Sequence, residues 1–214
     1  MTFATEIKTL SDLQSLFATG GSGYLANDIT ATAALTVGTD VSLCLNGKVL
    51  NLNGKGNITV SDGKTFNLYD CAHTTEHAGY IDADGLWHLG TGTGTETTIK
   101  GGVITGGTGY KAHDGYETLY GGGVYVSTSG SFTMTSGNIV GNTATPSANG
   151  MGGGVYNSGT FTMSGGTISD NKAGWGGGVF TEKKSFTMTA GTISSNEAEY
   201  GGGIQNGSIN TGIL

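Results

Sequence analysis

The chain has 214 residues, of which 42 are glycine and one is proline, and 16 acidic residues against nine lysines and no arginine give a net charge of −7. That balance argues against a nucleic-acid partner, because phosphate binding wants a basic patch and base readout favours Arg. So much glycine suggests low complexity, yet 36% apolar residues recurring in register imply a packed core; no transmembrane span, signal peptide or anchoring motif is visible.

In chain order, Ile7 to Phe17 comes first, with apolar residues at 7, 10, 13, 16 and 17 on one helical face and Thr9 or Ser11 as N-cap. The spacing predicts a short amphipathic helix within residues 1–22 that closes one end of the domain formed by 23–214. Next, Leu35-Thr36-Val37 with Val41 to Leu45 is matched by Ile58-Thr59-Val60 with Phe66 to Asp70, again with alternating apolar residues, a strand pattern. Cys44 and Cys71 stand about one such unit apart, so a disulfide between them is open, but this alignment sets Tyr69 opposite Cys44, which favours unpaired thiols. Thr97 to Ile104, TTIKGGVI, reads as a further unit.

From Gly121 the chain repeats itself. GGGVYVSTSGSFTMTSGNIVGN is followed by GGGVYNSGTFTMSGGTISDN from Gly152 and GGGVFTEKKSFTMTAGTISSN from Gly176, and a fourth copy opens at Gly201. A period of this size marks a solenoid whose units bury their apolar faces only against one another. Phe132, Met134 and Ile139 recur as Phe161, Met163 and Ile168 and as Phe186, Met188 and Ile193, with glycine corners at 137, 166 and 191. Three short strands per unit, with no helix between them, describe one rung of a parallel β-helix. Asn142, Asn171 and Asn196 end the rungs, and their regular recurrence predicts a buried amide ladder rather than a ligand site. Tyr125, Tyr156 and Phe180 should form an aromatic row, either a docking strip or stacking between rungs. The Thr133/Thr135, Thr162/Ser164 and Thr187/Thr189 rows are of the kind that ice-binding solenoids display, but threonine is also what a solvated strand prefers.

These repeats, GGG-[VI] followed about sixteen residues later by I-x-x-N, resemble the GGA[ILV] and FxxN repeats of polymorphic outer-membrane adhesins and, more broadly, the right-handed parallel β-helix of the pectate-lyase-like superfamily. Gly replaces the Ala, and Ile139, Ile168 and Ile193 replace the Phe. The resemblance spans about residues 95 to 205 and, with the periodicity, implies an all-β, single right-handed parallel β-helix of seven or eight rungs. Met1 runs directly into domain sequence and the chain stops partway through a repeat, which reads as a fragment of a longer secreted chain.

Chemistry in such a scaffold is expected in the insertions between regular rungs. The first, Cys71 to Gly79, holds His73-x-x-Glu76-His77, the H-x-x-E-H order of inverted zinc peptidases. It follows a strand and leaves little room for the helix that chemistry needs, so His73 and His77 are metal candidates only in letter. The second, Asp82 to Thr95, opens with Asp82-x-Asp84-Gly85, which echoes a calcium loop without its remaining ligands and fits a glycine turn as well. Trp87 there is a candidate ligand platform. The third, Thr105 to Tyr120, gathers Tyr110, Lys111, His113, Asp114, Tyr116, Glu117 and Tyr120. Tyr110, Tyr116, Glu117 and Tyr120 suit sugar contact, aromatic faces against C–H surfaces with polar groups for hydroxyls, and Lys111, His113 and Asp114 are the catalytic candidates.

Pectate-lyase relatives use an arginine base with calcium-holding aspartates, and polygalacturonase relatives use N-T-D and D-D motifs. This chain has no Arg, N-T-D or D-D. The expectation is therefore a non-catalytic surface adhesin or stalk module outside the cell, binding polysaccharide, glycoprotein or host polymer, with no nucleic-acid partner, no membrane insertion and no cofactor, although calcium use in the superfamily keeps that ion in view. The alternative is a polysaccharide lyase or glycoside hydrolase.

Overall fold

The computed structural model describes residues 2–111, 118–145, 149–182 and 185–207. It is an all-β structure with one helix, and in its three main sheets every strand pairing is parallel. The largest sheet, of eleven strands, has two columns. One contains Gly21–Leu25, Val41–Cys44, Thr65–Tyr69 and Ser131–Met134; the other contains Ile29–Thr30, Val49–Asn51, Val103–Thr105 and Asn138–Val140. Two ten-residue strands, Thr160–Ser169 and Ser185–Ser194, run through both columns and join them. The second sheet stacks Leu35–Val37, Ile58–Val60, Val124–Val126, Val155–Asn157, Val179–Thr181 and Ile204–Asn206. A third, smaller sheet pairs Thr143–Ala144, Lys172–Trp175 and Glu197–Tyr200.

Six layers pass through both columns and the second sheet, and Thr5–Ile7 adds a seventh strand to the first column alone. Thr97–Ile104 is not a layer of its own. Thr95–Lys100 pairs antiparallel with Glu76–Ile81, which also pairs with Trp87–Leu89, so the first two insertions form one three-stranded hairpin sheet. Val103–Thr105 instead completes the layer that Thr65–Tyr69 begins.

The interior is a set of in-register ladders. Phe66, Phe132, Phe161 and Phe186 stack face to face with centroids 5.4, 5.0 and 4.9 Å apart, and each fully buried ring contributes about 1.5–3 kcal/mol. Toward the N-terminal end the same column offers only Val41 and then Gly21. The space this leaves is filled by the helix Leu10–Thr19, whose Phe17 meets Phe66 edge-on at 5.8 Å and whose Leu13 and Leu16 are buried beside it. Thr9 is the N-cap: its hydroxyl accepts from Asp12 N–H at 3.2 Å while Asp12 Oδ2 accepts from Thr9 N–H at 2.9 Å, a reciprocal capping box.

The asparagines form the expected ladder. Asn171 Oδ1 accepts from both the backbone N–H (2.9 Å) and the Nδ2 (3.0 Å) of Asn142, and Asn196 Oδ1 does the same for Asn171. Each Nδ2 also donates to an isoleucine carbonyl of the preceding layer: Ile104, Ile139 and Ile168. The glycine triplets beside them are dictated by space. Gly121, Gly152, Gly176 and Gly201 have φ near +60°. A Cβ on Gly122 or Gly153 would run into the carbonyl oxygen of the next triplet, at Gly153 or Gly177.

The cysteines correct the expectation of free thiols: Cys44 and Cys71 form a disulfide. Their register is as read, with Cys44 opposite Tyr69, but the chain turns just after that strand. Asp70, buried, fixes the turn by accepting from the N–H groups of Gly47 (2.7 Å) and Gly102 (2.8 Å), and Cys71 reaches back to Cys44. The bond clips the base of the hairpin to the stacked sheets.

Candidate functional site

On the second sheet, residues alternate inward and outward. Val124, Val155 and Val179 face the core, and the outward row in register with them reads Thr36, Thr59, Tyr125, Tyr156, Phe180, Gln205. Its aromatic middle is stacked: Tyr125 and Tyr156 at 5.4 Å and 7°, Tyr156 and Phe180 at 5.5 Å and 2°.

A second row lies beside it. The residue before each glycine triplet is bulky: Tyr120, Met151, Trp175 and Tyr200. They are backbone partners in successive layers, and Tyr110 extends the row beyond Tyr120 through an antiparallel pair. The left-handed first glycine of each triplet folds one row against the other, so Tyr120 lies 4.7 Å from Tyr156 and 6.3 Å from Tyr125, and Tyr110 lies 5.4 Å from Tyr125. Trp175 stacks on Tyr200 at 4.1 Å. The result is an aromatic platform on the outer surface. Tyr156 and Phe180 are buried as its bed, Tyr120, Tyr125 and Trp175 are half-buried, and Tyr110 (44%) and Tyr200 (45%) are exposed at its two ends. Four strand spacings separate those ends, about 19 Å.

The rings of the platform are uncharged, and carboxylates adjoin it: Glu182 accepts from Tyr156, and Glu199 lies beside Tyr200 at one exposed end. Burial, the nearby Tyr110, and the carboxylates of Asp62 and Glu182 hold the Tyr125 phenol above the usual tyrosine range. Tyr156 is pushed further up, first by burial and then by its hydrogen bond to Glu182 Oε2 at 2.9 Å, an oxygen that Ser158 Oγ also reaches at 3.1 Å. Both phenols stay protonated at any ordinary pH. The platform's rings offer π faces and hydroxyl donors to a ligand.

The platform unites two features read separately in the sequence, the Tyr125/Tyr156/Phe180 row and the tyrosines of the third insertion. Of the latter, Tyr110 and Tyr120 belong to it, and Lys111 lies exposed beside it, opposite Leu119. His113, Asp114, Tyr116 and Glu117 lie outside the described residues. Met151, Trp175 and Tyr200 were missed, and the signal that finds them is the bulky residue preceding every triplet.

Trp87 of the second insertion is buried, not half-exposed in a loop. It is 1% exposed and packs against Val49, Val103 and Val140, with its ring lying where a Cβ on Gly79 would stand. Asp82 and Asp84 build a turn: Asp82 Oδ1 accepts from the N–H groups of Asp84 and Leu86, both at 3.0 Å, and Asp82 Oδ2 meets His88 Nε2 at 2.6 Å. Burial raises the Asp82 carboxyl, but these bonds, led by that of His88, outweigh it and hold the group below its usual range. Asp84 points to Lys172 instead. His77 Nε2 bonds the carbonyl of Gly47 at 3.0 Å, and Glu76 and His77 lie on a strand, not a helix. His73 is exposed, 3.4 Å from Asp70. Among the described residues no three His, Cys, Asp or Glu side chains converge on a metal position, and no helix is long and apolar enough to cross a membrane.

Comparison with known proteins finds no match: no family model, no curated protein and no solved structure is significantly similar to this chain.

Proposed function

We propose that the chain is a non-catalytic binding and display module that holds an extended, uncharged stretch of glycan along its aromatic platform. The observation that carries this reading is the double aromatic row with its exposed ends, Tyr110 and Tyr200, about four strand spacings apart. Sugar rings present C–H faces to aromatic rings and hydroxyls to phenols, and a row of this length suits a polymer better than a single ring. We read the stacked parallel sheets as a right-handed parallel β-helix with the N-terminal helix as its cap, akin to the pectate-lyase-like superfamily and to the polymorphic adhesin repeats. The in-register Phe and Asn ladders and the fixed strand order of successive layers support this. The disulfide supports residence outside the cell, where such bonds persist.

A glycan array, followed by calorimetry on the best binders, tests the proposal. Tyr110→Ala and Tyr200→Ala should each weaken binding by roughly tenfold, as loss of an aromatic anchor does, with the thermal transition unchanged. Release of reducing ends or unsaturated products from the bound glycan would replace this reading with that of a polysaccharide lyase or glycoside hydrolase.

A further inference from the structure

The hairpin leaves a second opening on a different part of the surface. Asn51, Thr105, Gly106 and Gly141, from successive layers of the large sheet, line it from below, and Tyr80, Trp87, His88 and Leu89 of the hairpin form its wall. Its volume is about 220 Å³, less than the about 300–1,000 Å³ of sites for drug-sized ligands and sufficient for one small ring. The wall is firmly held. The disulfide anchors the hairpin at its base, and at its tip Lys172 Nζ donates to the carbonyl of Asp84 at 3.2 Å while pairing with Glu197 at 3.0 Å. Gly141 lets the hairpin backbone approach, since a Cβ there would strike the carbonyl of Trp87.

Several polar groups surround this opening. Trp87 Nε1, the one buried side-chain nitrogen or oxygen among the described residues that has no hydrogen-bond partner, belongs to a residue of its wall, though the atom itself is enclosed. Asn51 spends its Oδ1 on the N–H of Asn53 at 2.8 Å. Thr105 is 3% exposed and still lines the cleft. His88 stacks on Tyr80 at 5.0 Å, and its Nε2 is taken by Asp82. With Nε2 taken by Asp82, Nδ1 is the ring nitrogen left for another partner. No lysine is among the described residues that line the cleft.

From the size, the mix of aromatic walls with amide, hydroxyl and imidazole groups, and the lack of a lysine among the described lining residues, we infer that this cleft is a binding site for one neutral polyhydroxylated ring, a single sugar unit. It is separate from the aromatic platform and does not depend on it.

The two tryptophans make the test direct, because Trp87 lines the cleft and Trp175 belongs to the platform. In nitrogen-15 spectra of the whole chain, the two indole N–H signals are assigned with Trp175→Phe and then followed during titration with glucose, galactose, mannose and N-acetylglucosamine, alongside glucuronate and glucose 6-phosphate. At least one neutral sugar should shift the Trp87 signal saturably while that of Trp175 stays in place, and the anionic sugars should bind more weakly. Thr105→Val and His88→Ala should each weaken that binding by about fivefold without loss of spectral dispersion. The inference is overturned if no neutral sugar moves the Trp87 signal, if only Trp175 responds, if the anionic sugars bind more tightly, or if well-folded variants bind as the parent does.

Discussion

Asn171 accepts two hydrogen bonds from Asn142 and donates to Ile139 and Asn196 at once. Asn171→Ala orphans several buried groups, each worth about 1–3 kcal/mol, so it should lower unfolding stability by about 3 kcal/mol, read as a shifted denaturant midpoint. A matched Thr187→Ala on the exposed strand should change it little. The tyrosine bed gives a pH prediction. Tyr125 and Tyr156 have raised folded values, so their stabilisation is complete below the unfolded value of about 10 and is lost as pH rises beyond it. Tyrosinate absorbance should therefore show the phenols of the bed ionising late, together with unfolding, and Tyr156→Phe should soften that alkaline transition. The asparagines and triplets were legible because the same residue type returns at the same phase of each repeat. The row before the triplets was not, because Tyr120, Met151, Trp175 and Tyr200 share bulk but not identity. Trp87 misled because its glycine- and threonine-rich neighbours suggest exposure, whereas Gly79 is what opens the slot for its ring.

The hairpin Glu76–Lys100 is the element that the sequence hid. A strand of TETTIK alternates in the same way whether it stacks in parallel or returns antiparallel, so period alone assigned it to the main stack. Likewise, register placed Cys44 opposite Tyr69 correctly, yet pairing was decided by the turn after the strand, which strand register does not describe. Reduction of the disulfide, which closes a separation of 27 residues, should cost about 3 kcal/mol and raise amide exchange across the hairpin. Acid should loosen the same element. Asp82 has a lowered folded value, so its contribution is present above the unfolded value of about 3.9 and is lost as pH falls below it. Exchange at the amides of Asp84 and Leu86 should accelerate below about pH 4 before the stacked sheets open. Asp82→Asn should abolish that acid step.

At the scale of the molecule, the parallel stack, its helix cap and its ladders follow from a repeat written in plain sight, and Phe17 shows how closely the cap is fitted to the place where the phenylalanine ladder gives out at Val41 and Gly21. The platform predicts a length effect. Across a series of oligosaccharides, affinity should climb with each added unit until the ligand spans the about 19 Å from Tyr110 to Tyr200 and then level off, a plateau that calorimetry would resolve. Because each triplet repeat contributes one bulky residue and one outward position to that surface, duplication or loss of a single repeat by recombination would lengthen or shorten the platform by one strand spacing. If the platform holds a glycan, the length it accepts would then be set by copy number, as on a ruler whose marks are whole repeats, without redesign of any individual contact.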